Sequence, residues 1–138
     1  NMRAWLEDEK VWIEYDGAVW VSVPLPGLNI ESKGTAYTIV AANDIGKLFI
    51  NSAAISITLP AATVGQHYFF SVGSANNLTI ATTGTDTCSL PATGIPGLAS
   101  KGIVAGAIGE SIHLGCAIAA NWVVLGGQGV AGIWVAEA

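Results

Sequence analysis

Apolar and polar residues alternate with a period of two along most of this chain. In "ISITL" (55–59), Ile55, Ile57 and Leu59 share one side of an extended segment and Ser56 and Thr58 the other, the pattern of a strand with one buried face. "HYFFSV" (67–72) sets Tyr68, Phe70 and Val72 against His67, Phe69 and Ser71. "SIHLGCAI" (111–118) sets Ile112, Leu114, Cys116 and Ile118 against Ser111, His113, Gly115 and Ala117. Further strands are expected at 36–41, 47–51, 78–82, 102–108, 121–126 and 132–136, punctuated by turns such as "NDIG", "SANN", "TTGTD" and "AAN". No segment carries a helical period. The longest irregular stretch is 90–102, where Pro91 and Pro96 oppose a central strand.

Residues 1–23 have a different texture. Three short apolar runs surround Trp5, Trp12 and Trp20, separated by "EDEK" and by Asp16-Gly17, a dipeptide that favours a tight hairpin. A three-stranded meander is the expectation, too small to be stable alone. "PLPGLNIESKG" (24–34), with two prolines and two glycines, reads as a hinge. The whole is expected to be all-β: a β-meander over 1–23, a linker over 24–36, and an antiparallel β-sandwich or barrel-like domain over 37–138.

Composition sharpens the picture at one point. Charged residues make up 11% of the chain, less than half the ordinary share of about 25%. Between residues 48 and 136 the only charged side chains are Asp86, Lys101 and Glu110. The second faces of the strands at 67–72 and 111–118 are therefore small and uncharged, and such surface is costly to leave in water. Burial against sister subunits is the simplest remedy, with His67 and His113 on the face concerned. A net charge of −5 and five scattered basic residues (3, 10, 33, 47 and 101) exclude a nucleic-acid partner. The apolar runs are too interrupted for a membrane-spanning helix. Asn1 ahead of Met2 suggests that sequence continues upstream.

The residues offer no catalytic constellation and no cofactor motif. "GESIH" around Ser111 lacks the second glycine of a nucleophile elbow, and Gly46-Lys47 lacks the rest of a phosphate loop. His67 and His113 have no metal-pair spacing and are read as polar face residues; a histidine on a threefold axis holding an ion is the less favoured reading. The carboxylates of "EDE" (7–9) are explained by a hairpin turn. Cys88 and Cys116 form no zinc or redox motif and are expected to be free thiols. Tyr68, Phe69, Trp122 and Trp134 are the candidates for an aromatic glycan platform; Trp122 and Trp134 are read first as core or interface residues.

"TLPAATVGQHYFFSVGSANNLTIATTGTDT", followed after an irregular loop by "GESIHLGCAIAANWVVLGGQGVAGIWVAEA", resembles the fibre and spike modules of tailed bacteriophages over residues 37–136. "RAWLEDEKVWIEYDGAVWVSV" is similar to the Trp-rich ending of a domain of unknown function in phage-like tail and gene-transfer-agent proteins. The resemblance implies a non-enzymatic virion protein assembled in the bacterial cytoplasm: a homotrimeric head-fibre, tail-fibre or spike domain, joined to other virion proteins through its N-terminal region and contacting host-surface glycans. The alternative is a carbohydrate-binding β-sandwich of a secreted or surface enzyme.

Overall fold

A computed structural model of the chain describes residues 2–6, 11–15, 17–23, 28–90, 101–128 and 134–136. The three N-terminal apolar runs become β1 (Met2–Leu6), β2 (Val11–Tyr15) and β3 (Trp20–Val23), an antiparallel meander in the order β1-β2-β3. Gly17 adopts φ 106° in the turn before β3, a left-handed conformation that glycine enters without a steric penalty. Across that hairpin Tyr15 and Trp20 are register partners with ring centroids 5.3 Å apart.

The remaining strands build two sheets. β4 (Ile30–Lys33), β6 (Leu48–Asn51), β8 (His67–Ser71), β10 (Thr87–Ser89), β12 (Ser111–Ile118) and β13 (Asn121–Gln128) form one, in the order β10-β13-β12-β8-β6-β4. β5 (Tyr37–Thr38), β7 (Ile55–Thr58), β9 (Leu78–Ala81), β11 (Ile103–Ala105) and β14 (Val135–Ala136) form the other, in the order β14-β11-β9-β7-β5. A single helical turn, α1 (Ala41–Asp44), links β5 to β6. From β4 to β11 consecutive strands fall in opposite sheets. The chain thus winds as a flattened coil and reaches an in-sheet neighbour only after crossing to the other sheet and returning. Returning strands run the same way: β4, β6 and β8 pair in parallel, as do β5, β7 and β9. The C-terminal part reverses, with the β12–β13 hairpin antiparallel to β8 and β11 antiparallel to β9.

The fold is the expected all-β sandwich, with sheets that are mixed instead of antiparallel throughout. Alternation decides which face a residue takes and carries no information on the direction of the neighbouring strand. A second difference concerns the segment read as linker. Residues 30–33 are an edge strand, with Ile30 beside Leu48 and Lys33 beside Asn51, so the sandwich begins ahead of residue 37. Residues 24–27 and the irregular segment 91–100 lie outside the described residues.

The inward positions meet in one core. Phe49, Tyr68, Phe70, Leu114 and Trp122 from the six-stranded sheet pack with Ile57, Ile80 and Ile103 from the other, all of them fully buried. Phe49 stacks on Phe70 with centroids 5.9 Å apart, and Tyr68 lies against Trp122 at 5.6 Å. Gly102 lets the chain pass β9: a Cβ there would fall 1.6 Å from the carbonyl oxygen of Ile80, so no other residue fits without moving backbone. Ile118 departs from its expected inward position. The ladder slips between Cys116 and Ile118, a bulge that re-aims the side chain and leaves Ile118 67% exposed.

Buried polar side chains hold the loops at the rims. Asn51 donates through Nδ2 to Ala53 O at 2.9 Å, to Ser74 Oγ at 3.2 Å and to Asn76 O at 3.2 Å, while its Oδ1 accepts the Gly73 N–H at 2.9 Å. Asp86 Oδ2 accepts the Ala62 N–H at 2.7 Å. The Thr82 hydroxyl lies 3.0 Å from Asp86 O and 2.9 Å from Lys101 O, both within hydrogen-bonding reach. These groups supply partners that loop backbone lacks when it leaves a sheet.

Candidate functional site

The outward positions of the six-stranded sheet form the candidate site. Register places Ile30, Leu48 and Phe69 in one row across β4, β6 and β8, and pairs Phe69 with His113 on β12. Ile50 and Ser71 lie one step along, with Ser111 opposite Ser71. β13 and β10 extend the face with Val123, Asn121, Thr87 and Ser89; Asn121 Oδ1 accepts the Thr87 hydroxyl at 2.9 Å and the Ser89 hydroxyl at 3.1 Å. Among the described residues no outward position of this sheet is Asp, Glu, Lys or Arg. Ile30 and Leu125 are more than half exposed, as is Leu28 just ahead of β4.

An aromatic cluster sits near the middle of this face. His67 Nδ1 and His113 Nε2 share a hydrogen bond at 3.1 Å. Phe69 stacks on His113 with centroids 3.9 Å apart and planes inclined by 16°. Because Gly115 is the residue opposite His67, no side chain stands between the two imidazoles. Burial, and then the neighbouring His67, push the His113 pKa below its ordinary 6.5. Hollows of about 430 Å³ and about 340 Å³ flank the cluster. The larger is walled by Phe69, Leu48, Ser111 and His113, the smaller by His67, His113, Gln66 and Leu125.

Four of the charges that the described sandwich carries, Glu31, Lys33, Asp44 and Lys47, gather at the β4 edge; Asp86, Lys101 and Glu110 lie elsewhere on its rims. The Lys47 ammonium donates to Asp44 Oδ1 at 2.8 Å and to Glu31 Oε2 at 3.1 Å, and Lys33 also pairs with Glu31. The Tyr37 hydroxyl and the Val40 N–H each donate to Asp44 Oδ2 at 2.8 Å. Burial alone would raise the Asp44 carboxyl, but the Lys47, Val40 and Tyr37 hydrogen bonds outweigh it and hold the pKa below 3.8. The Asp44 bond in turn raises the Tyr37 phenol. Lys33 lies over the Tyr37 ring, 3.5 Å from its centroid. This network escapes a sequence reading because two of its members lie in the segment taken for a linker.

The residues singled out from sequence divide by face. His67, Phe69 and His113 are together on the outer face. Tyr68 and Trp122 are not available to a glycan: each is 0% exposed, inside the core. Trp134 is half-buried against the same core. Burial raises the Tyr68 phenol to about 12. Cys88 and Cys116 are free and buried, and burial lifts Cys88 to about 12. Both are register partners of Trp122, one on each side of β13, which sets their backbones about 10 Å apart, beyond the roughly 7 Å that a disulfide can span. Among the described residues no group of three or more His, Cys, Asp or Glu side chains gathers to hold a metal ion. No protein-family model matches the chain, and neither does any curated protein.

Proposed function

We propose that this chain is a non-enzymatic structural protein of a phage or phage-like particle, a fibre or spike domain that assembles as a homotrimer through the outer face of its six-stranded sheet. The observation that carries this reading is the absence of any Asp, Glu, Lys or Arg from the described outward positions of that sheet, six strands wide. At about 25 cal/mol per Å², covering such a face against copies of itself is worthwhile, and an uncharged face presents no ion that must be desolvated on association. The charges at the β4 edge keep the rim wetted. The meander at residues 2–23, with its different composition, serves as the joint to other virion proteins.

Sedimentation of the full chain at micromolar concentration tests the reading, and a threefold species is expected. Ser71 is half-buried on this face at the end of β8, opposite Ser111, so Ser71→Lys places a charge there and is expected to yield monomers with an unchanged circular-dichroism spectrum. A wild-type protein that sediments as a monomer overturns the proposal. A second reading, a carbohydrate-binding sandwich of a secreted or surface enzyme, draws on the larger hollow, where Ser111 and His113 add polar groups to the Phe69 wall. A monomer that is retained on glycan arrays through Phe69 would favour it.

A further inference from the structure

The His67–His113 pair has a geometry that the strand ladder alone does not require. The two residues are diagonal neighbours on antiparallel strands, His67 facing Gly115 and His113 facing Phe69. Their near nitrogens, His67 Nδ1 and His113 Nε2, are 3.1 Å apart. Two imidazole nitrogens bound to one cation at about 2.0–2.1 Å lie about 2.9 Å apart at a right angle and about 3.4 Å apart at the tetrahedral angle. The observed separation falls between these limits. Both rings are also held in place. Phe69 stacks on His113 with centroids 3.9 Å apart and meets the His67 ring edge-on with centroids 5.8 Å apart.

The surroundings agree with a cation that brings its own water. The smaller hollow opens beside both imidazoles, and Gln66 lines it. The Gln66 Oε1 atom is buried without a hydrogen-bond partner among the described residues, an acceptor that metal-bound water would satisfy. Among the described residues no carboxylate stands on this face, which disfavours calcium and magnesium, cations that need an oxygen-rich environment. Imidazole nitrogen selects borderline transition metals.

We infer that His67 and His113 form a bidentate site for a divalent cation of the zinc, nickel or copper class, with water completing the coordination. Binding replaces the hydrogen bond between the rings. The nitrogen that donated in that bond becomes a lone-pair donor, and its proton moves through solvent to the other nitrogen of the same ring. The cation then ties β8 to β12 at the centre of the face. Both protein ligands come from one chain, so binding is testable apart from trimer formation; a bound cation puts charge on the face that the proposed trimer covers, and the two states compete.

The test is titration of the untagged, EDTA-treated full chain with zinc and nickel chlorides, followed by calorimetry and by the imidazole resonances. Saturable binding of one cation per chain is expected, weakened by about tenfold or more between pH 7.5 and 5.5 because protons compete for the same nitrogens. His67→Gln and His113→Gln should each weaken binding by about tenfold or more while the circular-dichroism spectrum stays that of the wild type. Absence of saturable binding overturns the inference, as does binding that both substitutions leave unchanged. A stoichiometry of one cation per three chains overturns the single-chain site.

Discussion

At the scale of single residues, the buried titratable groups make the sharpest statements. Tyr68 is fully buried and its hydroxyl has no hydrogen-bond partner among the described residues. Leaving such a group unpaired costs about 1–3 kcal/mol, so Tyr68→Phe should leave stability unchanged or raise it by up to about 1 kcal/mol. Urea unfolding decides; a loss beyond that amount would mean that the hydroxyl has a partner. His113 gives a pH signature. Its folded pKa lies below 6.5, so below pH 6.5 the unfolded chain takes up the proton more readily. Stability is therefore complete above 6.5, declines as the pH falls through the window down to the folded pKa, and levels off beneath it. Thermal melts in EDTA across that window should show the decline in the wild type and a flatter profile in His113→Gln.

At the scale of elements, the rims matter as much as the strands. Asn51 is 1% exposed and serves four backbone or hydroxyl partners in two loops. Asn51→Ala strands those partners, and a loss of about 2–4 kcal/mol is expected, read as a lower urea midpoint with an unchanged slope. Much of the element layout was legible in the sequence, because Ile55, Ile57, Tyr68, Phe70 and Leu114 alternate with small or polar neighbours and the structure buries each of them. β4 and β10 were not legible. Ile30–Lys33 carries two charged residues between glycines and prolines, and Thr87–Ser89 is too short to set a period. Their pairing comes from distant partners, Leu48 and its neighbours for β4 and Asn121 to Val123 for β10. The candidate site was half legible for the same reason. Outward placement of His67, Phe69 and His113 follows from alternation, while the contact between His67 and His113 depends on a register that no local pattern encodes. Trp122, read first as a core or interface residue, lies in the core, and Tyr68, offered for a glycan platform, is buried beside it, because an aromatic residue gives the same sequence signal in a core as on a platform.

At the scale of the whole molecule, the distribution of charge separates an edge that is wet from a face that is not. The Glu31, Lys33, Asp44 and Lys47 network occupies the β4 side, and the neutral face extends away from it to β10. Because the β12–β13 hairpin lies between β8 and β10, the order of synthesis matters. The ribosome delivers β4 to β9 in the order in which they stack, and from β6 onward each can pair with the strand two before it. β10 emerges with no neighbour and waits for β13, its parallel partner, with Thr87 aligned on Asn121. Non-local pairing of this kind is slow to form, and until β12 pairs with it β8 presents an open edge that another nascent chain can occupy. A chain ending at residue 110 should therefore lack a cooperative unfolding transition and aggregate, although it retains the whole coiled half of the sandwich. Completion of the fold is thus a late event in synthesis, and any quality check that acts on unpaired strand edges retains only copies that carry β12 and β13.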